Sequence, residues 1–492
     1  MNIYIENHSF HYEIENLVRL FYPNEKLTVS KEIPEIFEEP YIFTSLYEND
    51  NNNNITVSAR ISIDGDVREL SSQVSVTDEG AEKCSEQTMA SVLYKLLSEH
   101  TGVIQPWGIL TGVRPVKLFR RLAAKYGTEK AREYFTERLM VSRKKTDLCA
   151  LTEGYERRIL SMSRPESFSL YISIPFCPTR CSYCSFVSQT IEKARKLIQP
   201  YYEFLCKEIR HTAEITREKG LNLESVYIGG GTPTTLSAEQ LSGLISVIRE
   251  SFELSGCREF TVEAGRPDTI DEEKLFAILN GGADRISINP QTLNDNVLRV
   301  IGRKHTSDQT IKAYELARKL GFRHINMDLI AGLPSDTPES FADTLDRIIQ
   351  LAPESITVHT LALKRSSRLN MEGRVVMGST SPAAQMLDYC EKNLNENLYI
   401  PYYLYRQSRM EGNLENVGWS KPGFEGIYNV FVMDETHTII GCGAGAVTKL
   451  KQPGGESLSR IFNYKYPYEY IGGFEEILNR KEQIREFYDE LS

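Results

Sequence analysis

The chain has 492 residues, which at about 150 residues per domain suggests roughly three domains and leaves room for a large buried core. Apolar residues make up 41% and charged residues 25%, so the chain is neither disordered nor a small disulfide-stapled scaffold. Lys plus Arg number 57 against 67 for Asp plus Glu, a net charge of −10, which argues against a general nucleic-acid binder. The opening MNIYIENHSF carries neither a basic n-region nor an apolar h-region, and no stretch reaches about 18 apolar residues. No membrane span is expected, and a cytoplasmic location is.

Residues 1–150 read as an N-terminal α+β module to which the pattern assigns no role. PYIFTSLY and ITVSARISID alternate apolar and polar residues on either side of the turn-forming run Glu48 to Asn54, which predicts a hairpin with a solvated tip. A helix is expected from about Cys84 to His100, with Met89, Val92, Leu93 and Leu96 at helical spacing. In GILTGVRPVKLFRRLAAKYG, Pro115 suits a helix first turn, and Lys117, Arg120 and Arg121 share one face, read as a solvated basic face in preference to an anion site.

Over residues 165–365 the pattern changes to β-branched runs alternating with helical segments. The runs are SLYISI, SVYIGG, EFTVEA, RISINP, HINMDLI and SITVHTL. Six β/α units in series predict an α/β fold with a parallel sheet and outer helices, either an open doubly wound sheet or a partial barrel. Residues 366–492 mix helix and strand signals and are expected to form a C-terminal α+β domain.

Nine cysteines are present, six of them isolated in ordinary segments and readable as small buried apolar residues. Cys177, Cys181 and Cys184 instead fall within eight residues, directly after the first β run. They therefore sit in a loop at a strand's C-terminal end, where both parallel architectures place their chemistry. Three thiolates can hold a zinc ion or three irons of a [4Fe–4S] cluster. Structural zinc usually takes four closed ligands, whereas a cluster with three cysteines keeps one iron open to an exogenous ligand.

The other strand ends carry polar or small residues that should converge on the same mouth. Gly229, Gly230, Gly231 and Thr232 follow the second run, and missing side chains there let backbone groups approach a ligand. Glu263 ends the third run, where a carboxylate can accept bonds from ribose hydroxyls or a cationic amine, or can cap a helix. Gln291, Arg303 and Asp328 follow at the next two ends, while His359, His305 and His324 read as packed or exposed imidazoles without a role.

The C-x3-C-x2-C motif after YISIPF, with GGGTPT and DLIAGLP, resembles the radical SAM superfamily and, within it, the oxygen-independent coproporphyrinogen III oxidase family. The resemblance covers about residues 168 to 490; the long N-terminal extension, GILTGVRPVK and YYLYRQ are most similar to its HemZ-type branch. It implies a partial (β/α)6 TIM-like barrel, a [4Fe–4S] cluster on Cys177, Cys181 and Cys184, and S-adenosylmethionine contacts from Tyr171, Gly229 to Thr232, Glu263, Gln291, Arg303 and Asp328. It also implies oxidative decarboxylation of coproporphyrinogen III to protoporphyrinogen IX in haem biosynthesis, with two S-adenosylmethionine molecules per turnover and an external electron donor.

A porphyrinogen carries several propionates, so local cations are needed on an acidic protein. Lys364, Arg365, Arg368 and Arg406, with Tyr403 or Tyr405, are candidate propionate and macrocycle contacts, and equally readable as a solvated turn and a packed strand. GCGAGA (Gly441 to Ala446) resembles the family's C-terminal glycine-rich segment and reads as structural. Two positions depart from the best-known branch: Ser173 stands where it has histidine, and Phe186 where it has a further cysteine. Haem-trafficking members share that Phe but carry a His-Asn-x-x-Tyr-Trp segment; the corresponding Tyr428 to Met433 has neither histidine nor tryptophan. A haem-binding or haem-delivery protein is the alternative reading.

Overall fold

The computed structural model describes residues 1–49, 54–186, 188–362, 381–407 and 410–491. The chain divides into two compact units. One comprises residues 1–153 with later pieces within 371–385 and 405–415; the other comprises the remainder. Among the described residues no helix is long and apolar enough to cross a membrane.

The first unit holds a five-stranded sheet in the order β2-β1-β3-β4-β5, made of β1 (Asn2–Glu6), β2 (Thr28–Ser30), β3 (Tyr41–Asn49), β4 (Asn54–Ile63) and β5 (Asp66–Gln73). The expected hairpin is β3 with β4, in antiparallel register from Tyr41 opposite Ser62 to Asn49 opposite Asn54. The helix Ala81–Thr101 packs on β4, burying Met89, Val92, Leu93 and Leu96, and ends at Gly102 in the left-handed conformation. Pro115 occupies the first turn of the helix Pro115–Tyr126, as expected.

Residues 405–415 fold with this unit and not with the rest of 366–492. Arg406 is the reason: its buried guanidinium donates to the carbonyls of Leu110 and Gly112 and to Asn413, and lies 5.4 Å from the Trp107 ring centroid. Burial lowers its pKa to about 10. Glu415 accepts from Trp107 Nε1 at 2.8 Å and from Lys145 Nζ at 2.5 Å, all three being buried. Arg406 is therefore a packing group, not the propionate contact that its sequence position suggested.

The second unit is built on an eleven-stranded sheet, order β14-β15-β13-β12-β11-β10-β9-β6-β16-β17-β18. Its members are β6 (Ser167–Ile174), β9 (Asn222–Gly230), β10 (Glu259–Glu263), β11 (Arg285–Ser287), β12 (His324–Ala331), β13 (Ser355–Thr360), β14 (Ile400–Tyr405), β15 (Asn416–Ser420), β16 (Thr438–Cys442), β17 (Val447–Lys451) and β18 (Leu458–Phe462). A separate short pair, β7 (Phe176–Cys177) and β8 (Gln189–Thr190), brackets the cysteine loop. The six β-branched runs are β6, β9, β10, β11, β12 and β13, adjacent in chain order and all parallel. Helices such as Ala238–Ser251, Ser307–Leu320 and Pro338–Leu351 connect them, each capped by a Ser or Thr side chain. β15 runs antiparallel on β13, and β16 parallel on β6. The described sheet keeps two ends, at β14 and β18, so the barrel is partial. The strands β6 and β9 to β13 are buried on both faces, which explains their continuous apolar runs.

Candidate active site

Six parallel strands deliver their C-terminal ends to one mouth. Past β6, residues 177–184 form the cysteine loop, with Cys181 buried and Cys177 and Cys184 partly exposed. Neighbouring segments anchor the loop: Ser182 N donates to Ile301 O (3.0 Å), Thr179 Oγ1 to Gly302 O (3.2 Å), and Arg303 Nη2 to the Tyr183 hydroxyl (3.1 Å). Arg266, after β10, donates to Thr179 and to Cys181 Sγ at 3.7 Å.

The glycine triplet lies against this loop. Gly231 N donates to Ile174 O at 2.8 Å, and a Cβ at Gly231 would stand 3.0 Å from Cys177 Sγ and 2.6 Å from Phe176 O. Gly230 has φ +108°, a region that side chains disfavour. Thr232 Oγ1 reaches Cys177 Sγ at 3.6 Å. Bare backbone is thus presented beside a thiol where no side chain fits.

Glu263 receives a 2.5 Å bond from the Tyr227 hydroxyl, and burial pushes its pKa up to about 7 against that bond. Asp328 behaves oppositely. Burial alone would raise it, but His359, Asn326 and Thr357 outweigh that and hold it below the ordinary carboxylate range. Asn326 Nδ2 donates to Asp328 Oδ1 at 2.7 Å, and His359 Nε2 stands 3.8 Å from Oδ2. Two carboxylates, on β10 and β12 with β11 between them, therefore favour different protonation states near neutral pH. Gln291 joins β12 by backbone bonds to Asp328 O (2.9 Å) and from Ile330 N (3.0 Å), at φ +68°. Tyr171, Tyr227 and Tyr428 stack nearly parallel, Tyr227 and Tyr428 at 4.5 Å and the other pairs at 6.3 Å.

A radical SAM superfamily model matches residues 171–348. The chain is 36% identical over 487 residues to the oxygen-independent coproporphyrinogen-III oxidase-like protein HemZ of Bacillus subtilis, covering 97% of this chain and 96% of that one. The chain belongs to the radical SAM superfamily, in the HemZ-like branch of its coproporphyrinogen oxidase family. It is also 32% identical to the heme chaperone HemW of Lactococcus lactis, over 65% of this chain and 79% of the relative. The structure of coproporphyrinogen III oxidase (HemN) from Escherichia coli aligns with TM-score 0.50 and 24% identity, over 65% of this chain and 71% of that one, and so shares the fold.

Radical SAM proteins use a [4Fe–4S] cluster and S-adenosylmethionine, and the residues at this mouth fit both. Three thiols stand in one anchored loop, and cationic guanidinium groups of Arg266 and Arg303 flank the buried one. Arg303 Nε is buried without a hydrogen-bond partner beside Cys181, a donor suited to a thiolate.

Beside the glycine triplet opens a cavity of about 700 Å³. Tyr171, Phe186, Tyr428 and Phe462 wall it, Gly230 and Gly231 adjoin the cluster loop, and Lys449 and Lys465 lie on its lining. Ala444, Gly445 and Ala446 form part of its lining, as does Ser173, whose hydroxyl donates to Ala444 O at 2.8 Å. The histidine-to-serine departure thus supplies a structural bond.

The residues nearest this cavity were only partly expected. Tyr171, Gly230 and Gly231 line it, while Glu263, Gln291 and Asp328 stand on adjoining strand ends. Arg303 Nη1 donates to the carbonyls of Gly265 (3.0 Å) and Asn289 (3.1 Å), so it braces the cysteine loop against two other ends. Tyr227, Tyr428, His359, Arg266 and Lys465 were missed. For Tyr227, position was the available signal: it lies two residues before the triplet on the same strand face as Gly229. Tyr403 is buried against Gly418, a packing residue. Lys364, Arg365 and Arg368 lie outside the described residues.

Proposed function

We propose that this chain is a radical SAM enzyme that decarboxylates two propionates of coproporphyrinogen III to vinyl groups, giving protoporphyrinogen IX. The observation that carries the reading is the aromatic-walled cavity with two lysines, opening beside the glycine triplet and Phe186. Its volume suits a tetrapyrrole-sized ligand. Lys449, 3.5 Å from Glu435, and Lys465 supply the cations that propionates require.

In this reading Cys177, Cys181 and Cys184 hold the cluster, and the bound cofactors supply the deoxyadenosyl radical that abstracts a substrate hydrogen. The backbone of Gly229 to Gly231, with Thr232, seats the methionine amine end of the cofactor. Glu263, Gln291, Asp328 and Tyr171 orient the remainder, with Arg303 holding the loop in place. Tyr428, Phe186 and Phe462 stack against the macrocycle and keep water from the reacting carbon. Each side chain loses a β-hydrogen atom, carbon dioxide and one electron, the last to an external acceptor. The proposed setting is the cytosol, whose reducing conditions keep the nine cysteines out of disulfides and three of them available as cluster ligands.

The likeness to a heme chaperone favours a second reading, a haem carrier that keeps the cluster fold without turnover. Anaerobic incubation of the reconstituted protein with coproporphyrinogen III, S-adenosylmethionine and a reductant separates the two. Protoporphyrinogen formation, weakened by Lys465→Glu mainly through KM, is the expected result. Stable haem uptake with no product supports the carrier, and deoxyadenosine formation indifferent to coproporphyrinogen points to another substrate.

A further inference from the structure

Arg266 lies in the turn after β10, three residues past Glu263, and nothing so far gives it a chemical task. Its side chain is 4% exposed. Nε and Nη2 fork onto Asp268 Oδ1 and Oδ2 at 3.0 Å each, a bidentate pair that fixes the guanidinium plane. The other edge faces the cysteine loop: Nη2 donates to Thr179 Oγ1 at 3.1 Å, Nη1 to Thr179 O at 3.4 Å and to Cys181 Sγ at 3.7 Å. His305, also buried, stands 3.7 Å from Asp268 Oδ1 on the far side.

Cys181 is the buried cysteine of the three, so a donor aimed at its sulfur acts where water does not compete. We propose that Arg266 is a positioning residue that clamps the Thr179–Cys181 stretch and, through its N–H and charge directed at Cys181 Sγ, raises the reduction potential of the cluster. A hydrogen bond and a positive charge at a ligating sulfur stabilise the reduced, more negative state. Asp268 sets the orientation of the fork and offsets much of its charge, so the effect on the sulfur is local. The proposal rests on Cys181 holding an iron.

The test is an anaerobic redox titration of the reconstituted full-length protein, followed by electron paramagnetic resonance without S-adenosylmethionine. Arg266→Met should retain iron and sulfide while its midpoint potential falls and its reduced-state signal changes. Arg266→Lys keeps the charge but not the fork and should recover part of the shift. Asp268→Asn removes the offsetting charge and should move the potential upward. An Arg266→Met protein with full iron content and an unchanged potential overturns the proposal. Should that variant lose iron, Arg266→Lys decides: a potential below the unmodified protein's supports the proposal, and an unchanged one overturns it. Iron analysis of Cys181→Ala tests the underlying reading separately, because retained iron there removes the ligand assignment whatever Arg266 does.

Discussion

Among the described residues, each unit hides a lysine–glutamate pair from water, and the two pairs serve different ends. In the second unit Lys481 and Glu208, both fully buried, lie 3.1 Å apart. Glu208 also accepts from Gly443 N, Asn463 Nδ2 and the Tyr470 hydroxyl, at 2.7, 2.7 and 2.5 Å, while Lys481 donates to Gly441 O. In the first unit Lys145 and Glu415 pair at 2.5 Å, and Trp107 donates to the same carboxylate. Taking two charges out of water costs about as much as their attraction returns. What such a pair does is therefore read from the groups that use its spare bonds. One pair holds a glycine-rich segment that leads into the lining of a cavity; the other fastens a returning piece of chain into a core.

The sharpest way to break this contrast is to remove each lysine. Lys481→Met should cost about 3–5 kcal/mol, since it removes the cation from the buried Glu208 carboxylate, and Lys145→Met should also destabilise, both measured by urea unfolding. Only Lys481→Met should also weaken binding of coproporphyrin III, the stable oxidised probe, in a fluorescence titration of folded protein. Equal loss of binding in both variants would erase the distinction.

A smaller effect concerns Glu263, which faces Tyr227, Asp328, His359, Tyr171 and Tyr428. Its folded pKa is raised from 4.5 to about 7, chiefly by burial, so the folded state keeps a proton that the unfolded chain releases. The contribution of Glu263 to the stability of the cofactor-free protein should be full below that lower value, decline as pH climbs to about 7, and then level off. Glu263→Gln should make the slope between these limits less negative than in the unmodified protein; an unaltered slope would show that Glu263 does not contribute to it. The smallest expected change is Ser173→Ala, which deletes one bond within the cavity lining and should cost about 1 kcal/mol, with coproporphyrin affinity shifting in the same direction. A gain in stability would remove Ser173 from the lining's support.

Much of the barrel was legible because each strand is a short β-branched run buried on both faces, and because chain order equals sheet order from β6 to β13. The cysteine loop and glycine triplet were legible for the same reason: both directly follow such runs. What escaped depends on partners remote in the chain. Arg406 reads as an exposed cation beside tyrosines, yet its acceptors at Leu110 and Gly112 lie nearly three hundred residues earlier. Arg266 looks like a turn residue until Thr179 and Cys181 arrive beside it. Tyr428 lies on the helix Ile427–Asp434, and only folding stacks it on Tyr227.

The excursion of residues 405–415 into the first unit bears on how this protein can be dissected. A truncation starting at Gly154 would keep Arg406 and Glu415 but discard Leu110, Gly112, Trp107 and Lys145, stranding two ionised groups that had been neutralised or solvated by backbone. Grafting the first unit onto a foreign barrel would fail for the reciprocal cause. Any exchange of parts between members of this branch has to transplant both stretches together.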